Sequence, residues 1–100
     1  MEIAGIRKAF IEKRFRYTKH GAEQRINRII TGKEIEQAIL KGEIIEDYPS
    51  DKYGPSCLIY GKTRMGKALH IQISIFPIIS IVTVYEPNPA EWVDNKVRRK

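Results

Sequence analysis

The sequence predicts an α+β fold in which N-terminal helices pack on one face of a four-stranded, mainly antiparallel sheet. Apolar side chains recur at helical spacing up to about residue 42, whereas residues 43–86 alternate between apolar and polar or form β-branched runs. Short polar turns join these later segments, which favours antiparallel pairing. A length of 100 residues leaves room for one domain, residues 1–100, with a basic tail at 96–100.

Three helices are predicted before the sheet. The first spans Glu2–Arg14 and has an apolar stripe with basic side chains outside it. The second follows the N-cap residue Thr18 and continues to about Arg28; it is so polar that we expect it at the surface or lining a site. The third begins with the capping box Thr31-Gly-Lys-Glu34 and ends at Gly42.

The four predicted strands are Glu43–Tyr48, Ser56–Thr63, Lys67–Phe76 and Ile78–Glu86. The turn between the second and third strands fits a three-residue loop in which Gly66 has a positive φ. This loop places Tyr60 opposite His70, whereas a two-residue loop would place Tyr60 opposite Ile71. After the last strand, Asn88-Pro-Ala-Glu91 predicts a short helix that carries Trp92.

Positive charge is concentrated at the two ends of the chain, which has a net charge of +6. Residues 1–33 carry nine basic and three acidic side chains, residues 34–60 two and six, and residues 61–100 seven and three. If the ends pack together, they form a basic face that attracts nucleic-acid phosphates, with the acidic middle on the far side. A solvated surface rich in lysine is the alternative.

Several classes of protein are excluded by composition. A single cysteine excludes a disulfide framework and a cysteine-based zinc site, and we expect neither metal nor cofactor. The longest apolar stretch, Ile75–Tyr85, is far shorter than the roughly 20 residues of a membrane span. The N-terminus lacks the layout of a signal peptide, so we expect a cytoplasmic protein without membrane contact.

The second helix carries candidate residues for phosphodiester chemistry. Cleavage of RNA at a 2′-hydroxyl needs a base, an acid and cations around the phosphorane. His20 can supply the base or acid, and Arg25 and Arg28 share a neighbouring face of the same helix. The alternative is an ordinary solvated helix in which Glu23 neutralises Arg28 or Lys19.

The predicted sheet offers a second set of candidates. His70 lies in a polar row on one side of its strand, which indicates either an open sheet face or a site. Tyr85 ends the last strand and offers a hydroxyl group. The alternatives are a half-buried histidine bonded to a neighbour and a tyrosine that plugs the edge of the core. Tyr48 and Tyr53 border the loop between the first two strands and either stack on a base or pack the loop down.

Contacts to a nucleic-acid strand are predicted around the hairpin tip and the start of the second helix. The candidate residues are Lys19, Tyr60, Lys62 and Arg64. Lys62 and Arg64 flank the turn and can clamp a strand, although a solvated turn is the alternative.

Seven stretches of the chain carry a family resemblance. They are Tyr17-Thr18-Lys19-His20, Glu23-Gln24-Arg25 with Arg28, Glu34-Ile35-Glu36, Ala38-Ile39, Gly42-Glu43-Ile44-Ile45-Glu46-Asp47-Tyr48, Tyr53-Gly54-Pro55-Ser56-Cys57-Leu58-Ile59-Tyr60-Gly61 and Thr83-Val84-Tyr85-Glu86-Pro87. Together they resemble a family of small bacterial and archaeal proteins that is labelled a domain of unknown function. The resemblance covers roughly residues 15–94.

The resemblance implies a RelE-, BrnT- or barnase-like ribonuclease fold and a toxin of a type II toxin–antitoxin pair, with RNA as substrate and a zinc-finger YgiT-like antitoxin as partner. It implies a site on the free sheet face and the adjacent helix. His20, Arg25, Arg28, His70 and Tyr85 match the family motifs. We therefore expect a metal-independent endoribonuclease. The alternatives are a non-catalytic module that binds RNA or protein, and a structural domain.

Overall fold

The computed structural model describes residues 2–52 and 54–100, so the prediction for Tyr53 lies outside the described residues. The helices are α1 (Ile3–Ile11), α2 (Lys19–Asn27) and α3 (Gly32–Leu40). The strands are β1 (Arg16–Tyr17), β2 (Glu43–Tyr48), β3 (Ser56–Lys62), β4 (Ala68–Ser74), β5 (Ser80–Tyr85), β6 (Trp92–Val93) and β7 (Val97–Arg98). Within these residues, no helix has the length and apolarity needed to cross a membrane.

The main sheet has five strands in the order β1-β5-β4-β3-β2, and not the four that the sequence predicts. The additional strand is β1, which pairs in parallel with β5, while the other neighbours are antiparallel. Its pairs are Arg16 with Ser80 and Tyr17 with Ile81. Two residues are too few to show a period in the sequence, so their membership of the sheet depends on the partner strand.

Helices α1 and α3 cover one face of this sheet and form the core with it. Ile35, Ala38 and Ile39 are completely buried on α3, and they pack against a cluster that includes Ile59 of β3 and Ile71 of β4. The alternating pattern of the strands places the apolar side chains on this face, which confirms the predicted α+β fold class.

Helix α2 lies along β5, where β1 ends. The Thr18 hydroxyl accepts a hydrogen bond from the Gly21 N–H at 3.0 Å and donates to the Ile81 carbonyl at 3.1 Å. A Cβ atom at Gly21 would lie 2.2 Å from that carbonyl oxygen, so glycine permits the close approach. At the other end, Arg28 Nη1 donates to the Val84 carbonyl at 3.1 Å. The polar helix therefore lies at the surface, beside one edge of the sheet.

The predicted C-terminal helix is wrong, because the chain forms a β-hairpin of β6 and β7. Asn88 begins only a single turn. Asp94 and Asn95 have φ values of 52° and 62°, as a type I′ hairpin turn requires, and Asp and Asn tolerate such values. The turn is closed by a 3.0 Å hydrogen bond from the Lys96 N–H to the Val93 carbonyl. The turn at Asp94-Asn95 therefore determines the structure of this segment, although the pattern at Asn88 favours a helix start.

The expectation of an open second sheet face is also wrong in part. We call the face opposite α1 and α3 the distal face; its side chains come from alternate residues of β2–β5, and they include Glu46, Tyr48, Tyr60, His70, Gln72 and Tyr85. The C-terminal hairpin packs across this face, and Trp92 is 3% exposed in the contact. The hairpin covers His70 and leaves the far end of the face, near Gln72, accessible.

Candidate functional site

Three side chains form a row across the distal face. The strand register places Tyr60 opposite His70 and His70 opposite Tyr85, and the first of these pairings confirms the predicted three-residue loop. The ring centroids of Tyr60 and His70 lie 6.0 Å apart, and those of His70 and Tyr85 lie 5.3 Å apart. Two candidate catalytic residues and one candidate RNA contact are therefore neighbours.

The hydrogen bonds of His70 fix its tautomer. Nε2 lies 2.6 Å from the Asn95 carbonyl oxygen, which only accepts, so Nε2 carries the proton. Nδ1 is then an acceptor, and the Tyr85 hydroxyl donates to it at 3.2 Å. Burial lowers the pKa of His70 and raises the pKa of Tyr85, so both groups are neutral near pH 7.

His70 itself is closed off from solvent. Its exposed fraction is 0%, and the Trp92 ring stands at 89° to the imidazole with the centroids 4.4 Å apart. The Arg98 guanidinium lies over the Trp92 ring, 4.7 Å from its centroid. The C-terminal hairpin thus covers His70, and its Trp92 ring lies between His70 and the Arg98 guanidinium.

Ion pairs hold the C-terminal hairpin against strand β2. Arg98 donates to both carboxylate oxygens of Glu46, at 2.9 Å and 3.1 Å, and Lys96 pairs with Glu43 at 3.1 Å. The Tyr48 hydroxyl also donates to Glu46. Burial and this carboxylate raise the pKa of Tyr48 to about 12. Although burial acts to raise the pKa of Glu46, the hydrogen bonds from Arg98 and Tyr48 lower it.

The ion pair between Glu46 and Arg98 does not follow from the sequence pattern. The acidic middle of the chain was expected on the far side from the basic ends, yet Glu46 points to the distal face and pairs with the tail. The alternation of β2 predicts the facing of Glu46, but its partner depends on the C-terminal hairpin, which the sequence predicts to be helical. Trp92 was missed as a neighbour of His70 for the same reason.

Arg98 and Arg28 both bring positive charge to this row. Burial raises the pKa of Tyr85, whereas the charge of Arg98 and, more weakly, that of Arg28 act to lower it. Arg28 is exposed and reaches the edge of β5 through its hydrogen bond to the Val84 carbonyl. The Tyr85 hydroxyl therefore has a hydrogen-bond acceptor in His70 Nδ1, and two guanidinium groups act on it electrostatically.

The other helix candidates do not join the row. His20 and Lys19 are exposed at the start of α2, and His20 lies eight positions before Arg28, about 12 Å along the helix axis. Arg25 points elsewhere: Nη1 donates to the Ile30 carbonyl at 3.3 Å, and the guanidinium lies 5.4 Å from the centroid of the Tyr17 ring. These contacts give Arg25 a structural role at the end of α2.

The remaining candidates line a separate cleft. Tyr60, Lys62 and Arg64 border a cavity of about 340 Å³ at the β3–β4 turn, together with Lys41 and Glu43. Lys62 and Arg64 are exposed. A second cavity, of about 570 Å³, lies at the open end of the distal face and is lined by Tyr48, Pro49, Ser50, Asp51, Gln72 and Arg98.

Comparison with known families matches residues 17–86 to the family described as Domain of unknown function (DUF4258). The chain belongs to the DUF4258 family. No curated protein and no solved structure matches the chain. The part shared with the DUF4258 family contains Arg28, Tyr60, His70 and Tyr85, whereas the C-terminal hairpin that covers His70 lies beyond the matched segment. In residues 2–52 and 54–100, no three His, Cys, Asp or Glu side chains cluster as metal ligands do.

Proposed function

We propose that this DUF4258 protein is a metal-independent endoribonuclease with a RelE-, BrnT- or barnase-like fold, and the toxin of a type II toxin–antitoxin pair. The hydrogen-bonded pair of His70 and Tyr85 beside Arg28 carries the proposal. The Tyr85 hydroxyl bonded to the acceptor nitrogen of His70 can serve as the base for cleavage at a 2′-hydroxyl, and Arg28 as a cation, with water as the acid. A zinc-finger YgiT-like antitoxin is the partner that goes with this proposal.

The geometry supports a relay through Tyr85. The RNA 2′-hydroxyl gives its proton to the Tyr85 oxygen, while Tyr85 gives its own proton to His70 Nδ1. The 2′-oxygen forms a bond to phosphorus, the bond to the 5′-oxygen breaks, and that oxygen takes a proton from water. The hydroxide that remains receives the proton held by His70, which returns through Tyr85. Arg28 stabilises the negative charge of the phosphorane. His70 is a positioning residue here, since it is completely buried and reaches RNA only through Tyr85.

A substitution of one hydroxyl group tests this relay. Tyr85→Phe removes the oxygen that passes the proton and keeps the ring, so RNA cleavage in the presence of EDTA should fall by roughly a hundredfold or more. Tyr48→Phe is the matched control, because it removes a second tyrosine hydroxyl from the same face, bonded to Glu46. Cleavage of free RNA and of ribosome-bound mRNA is measured for all three proteins.

We expect the Tyr48→Phe protein to cleave at the rate of the unmodified chain. Equal rates in the Tyr85→Phe protein would exclude the relay. Absence of cleavage of both substrates by the unmodified protein, with or without EDTA, would exclude the endoribonuclease proposal as a whole.

A non-catalytic RNA-binding module is the second candidate. The complete burial of His70, with both ring nitrogens occupied, favours it. Tyr85 remains half-buried, so the face is not sealed as it would be in a purely structural sheet. Binding of RNA that weakens steeply with salt, without cleavage, would support this candidate.

A further inference from the structure

A pocket of about 380 Å³ opens at the end of the α2–β5 seam opposite Tyr85. Its lining residues are Arg16, Thr18, His20, Ser74, Phe76, Pro77, Ser80 and Val82. The volume is on the scale of small-ligand pockets. Most of the lining surface is apolar, and Arg16, His20 and hydroxyl groups supply its polar part. An apolar surface that includes an aromatic ring and a cation can take the base and the phosphate of a nucleotide.

Arg16 supplies positive charge to this pocket. Its Nε donates to the Ser80 hydroxyl at 3.1 Å, which holds the side chain at the pocket wall. Within the described parts of the chain, no carboxylate pairs with Arg16. By contrast, the neighbouring Arg14 pairs with Glu12 at 2.6 Å. The charge of Arg16 is therefore available to a phosphate group.

Phe76 presents an aromatic ring to solvent beside this cation. Its exposed fraction is 70%, whereas the other two phenylalanines of the chain are buried or half-buried. It lies between β4 and β5, next to the exposed Pro77. An exposed aromatic ring beside an arginine provides a stacking surface for a base with a cation for the phosphate.

The pocket and Arg28 lie at the two ends of one surface. α2 and β5 run in the same direction, since Thr18 bonds to Ile81 near the start of the strand and Arg28 bonds to Val84 near its end. The distance along the helix from His20 to Arg28 is about 12 Å, enough for a few nucleotides of extended strand.

We infer that single-stranded RNA binds along the α2–β5 seam, with one base stacked on Phe76, the adjacent phosphate on Arg16 and His20, and the strand leading to Arg28 and Tyr85. This inference rests on the proposed RNA function and names its substrate as single-stranded. A duplex does not offer the face of a base to Phe76, so it would lose this contact.

The test measures binding without requiring cleavage. A short fluorescein-labelled 2′-O-methyl RNA, which cannot form the 2′-alkoxide, is titrated with the full chain and followed by anisotropy. Phe76→Ala should weaken binding of the single strand by about tenfold. Arg16→Ala should also weaken it and reduce the slope of log affinity against log salt by about 0.7.

Two substitutions serve as matched controls. Ile11→Ala removes another apolar side chain of similar exposure, 67%, from the end of α1, and Lys33→Ala removes one positive charge from the exposed start of α3. Neither protein should lose affinity for the single strand beyond the weak effect of net charge.

Three results would overturn the inference. They are equal affinity for single strand and duplex, unchanged affinity in both Phe76→Ala and Arg16→Ala proteins, and tighter binding of a labelled polyglutamate peptide than of RNA, which would assign the surface to an acidic protein. The inference and the proposed function fail separately. RNA binding that depends on Phe76 can persist without any cleavage, and cleavage that depends on Tyr85 can persist without Phe76.

Discussion

His70 is held as a neutral imidazole by its surroundings. Nε2 donates to the Asn95 carbonyl and Nδ1 accepts from Tyr85, so a proton added at Nδ1 would displace the Tyr85 hydroxyl hydrogen bond. Burial lowers the pKa of His70 below its ordinary value of 6.5. The unfolded chain therefore binds a proton at mildly acidic pH that the folded chain does not. His70 contributes full stability above pH 6.5, and this is lost as the pH falls through the unfolded value.

The free energy of unfolding, measured by urea denaturation, should accordingly decrease between about pH 7.5 and about pH 5.5. His70→Gln should remove most of this decrease, because it replaces the titrating ring with a neutral amide that still forms hydrogen bonds. His20→Gln is the control, since His20 is exposed at the start of α2, and it should keep the decrease. The same pH dependence in the His70→Gln protein would contradict the account.

For single residues, the sequence predicts which side chains are neighbours in the sheet better than it predicts which of them are buried. The strand alternation and the glycine at position 66 predict Tyr60 opposite His70, because both are local properties. The burial of His70 comes from Trp92 and Asn95, which lie more than twenty residues further along the chain. No local pattern around His70 contains that information.

The contact between α3 and β3 is an element-scale feature that depends on a missing side chain. A Cβ atom at Gly61 would lie 1.9 Å from the Ala38 carbonyl oxygen, so alanine there would push the helix away from the sheet. Gly61→Ala should lower the free energy of unfolding by about 1–3 kcal/mol. Gly5→Ala, where α1 has open space, should raise it by up to about 1 kcal/mol.

Urea denaturation of both proteins beside the unmodified chain measures this difference. An unchanged stability in the Gly61→Ala protein would show that α3 can move without cost. A loss of stability in the Gly5→Ala protein would show that the effect is general to the helices and not specific to the close contact.

Element starts were predictable where the signal is a local hydrogen bond. The capping box of α3 is confirmed: the Thr31 hydroxyl accepts from the Glu34 N–H at 3.1 Å, and Glu34 accepts from the Thr31 N–H at 2.9 Å. The helix predicted for the C-terminal segment is wrong because two local signals compete there. Asn88-Pro89 favours a helix start, and Asp94-Asn95 favours a type I′ turn, which the pairing of β6 with β7 supports.

The charged side chains of the whole molecule are distributed differently from the pattern that the sequence predicts. The acidic segment and the basic tail are not kept on opposite sides, because β2 and the C-terminal hairpin meet on the distal face through Glu46 and Arg98. Part of the net positive charge is therefore used within the fold. Arg16 and Arg28 remain open toward solvent on the α2–β5 side, and Lys62 and Arg64 remain open at the β3–β4 turn.

Trp92 is the only tryptophan, so its fluorescence reports whether the hairpin stays on the sheet. It is 3% exposed, and we expect weak quenching by acrylamide in the unmodified protein. Glu46→Gln removes the carboxylate that receives two hydrogen bonds from Arg98, so the hairpin should detach more often and the quenching constant should rise. Glu36→Gln, which removes the partner of Lys13 on the other side of the molecule, should leave quenching unchanged. If quenching in the Glu46→Gln protein matches the unmodified chain, the edge-to-face contact of Trp92 with His70 holds the hairpin on the sheet without the ion pair. If quenching is already strong in the unmodified chain, the hairpin does not cover His70 in solution, and the buried imidazole of the proposed relay becomes directly accessible to RNA.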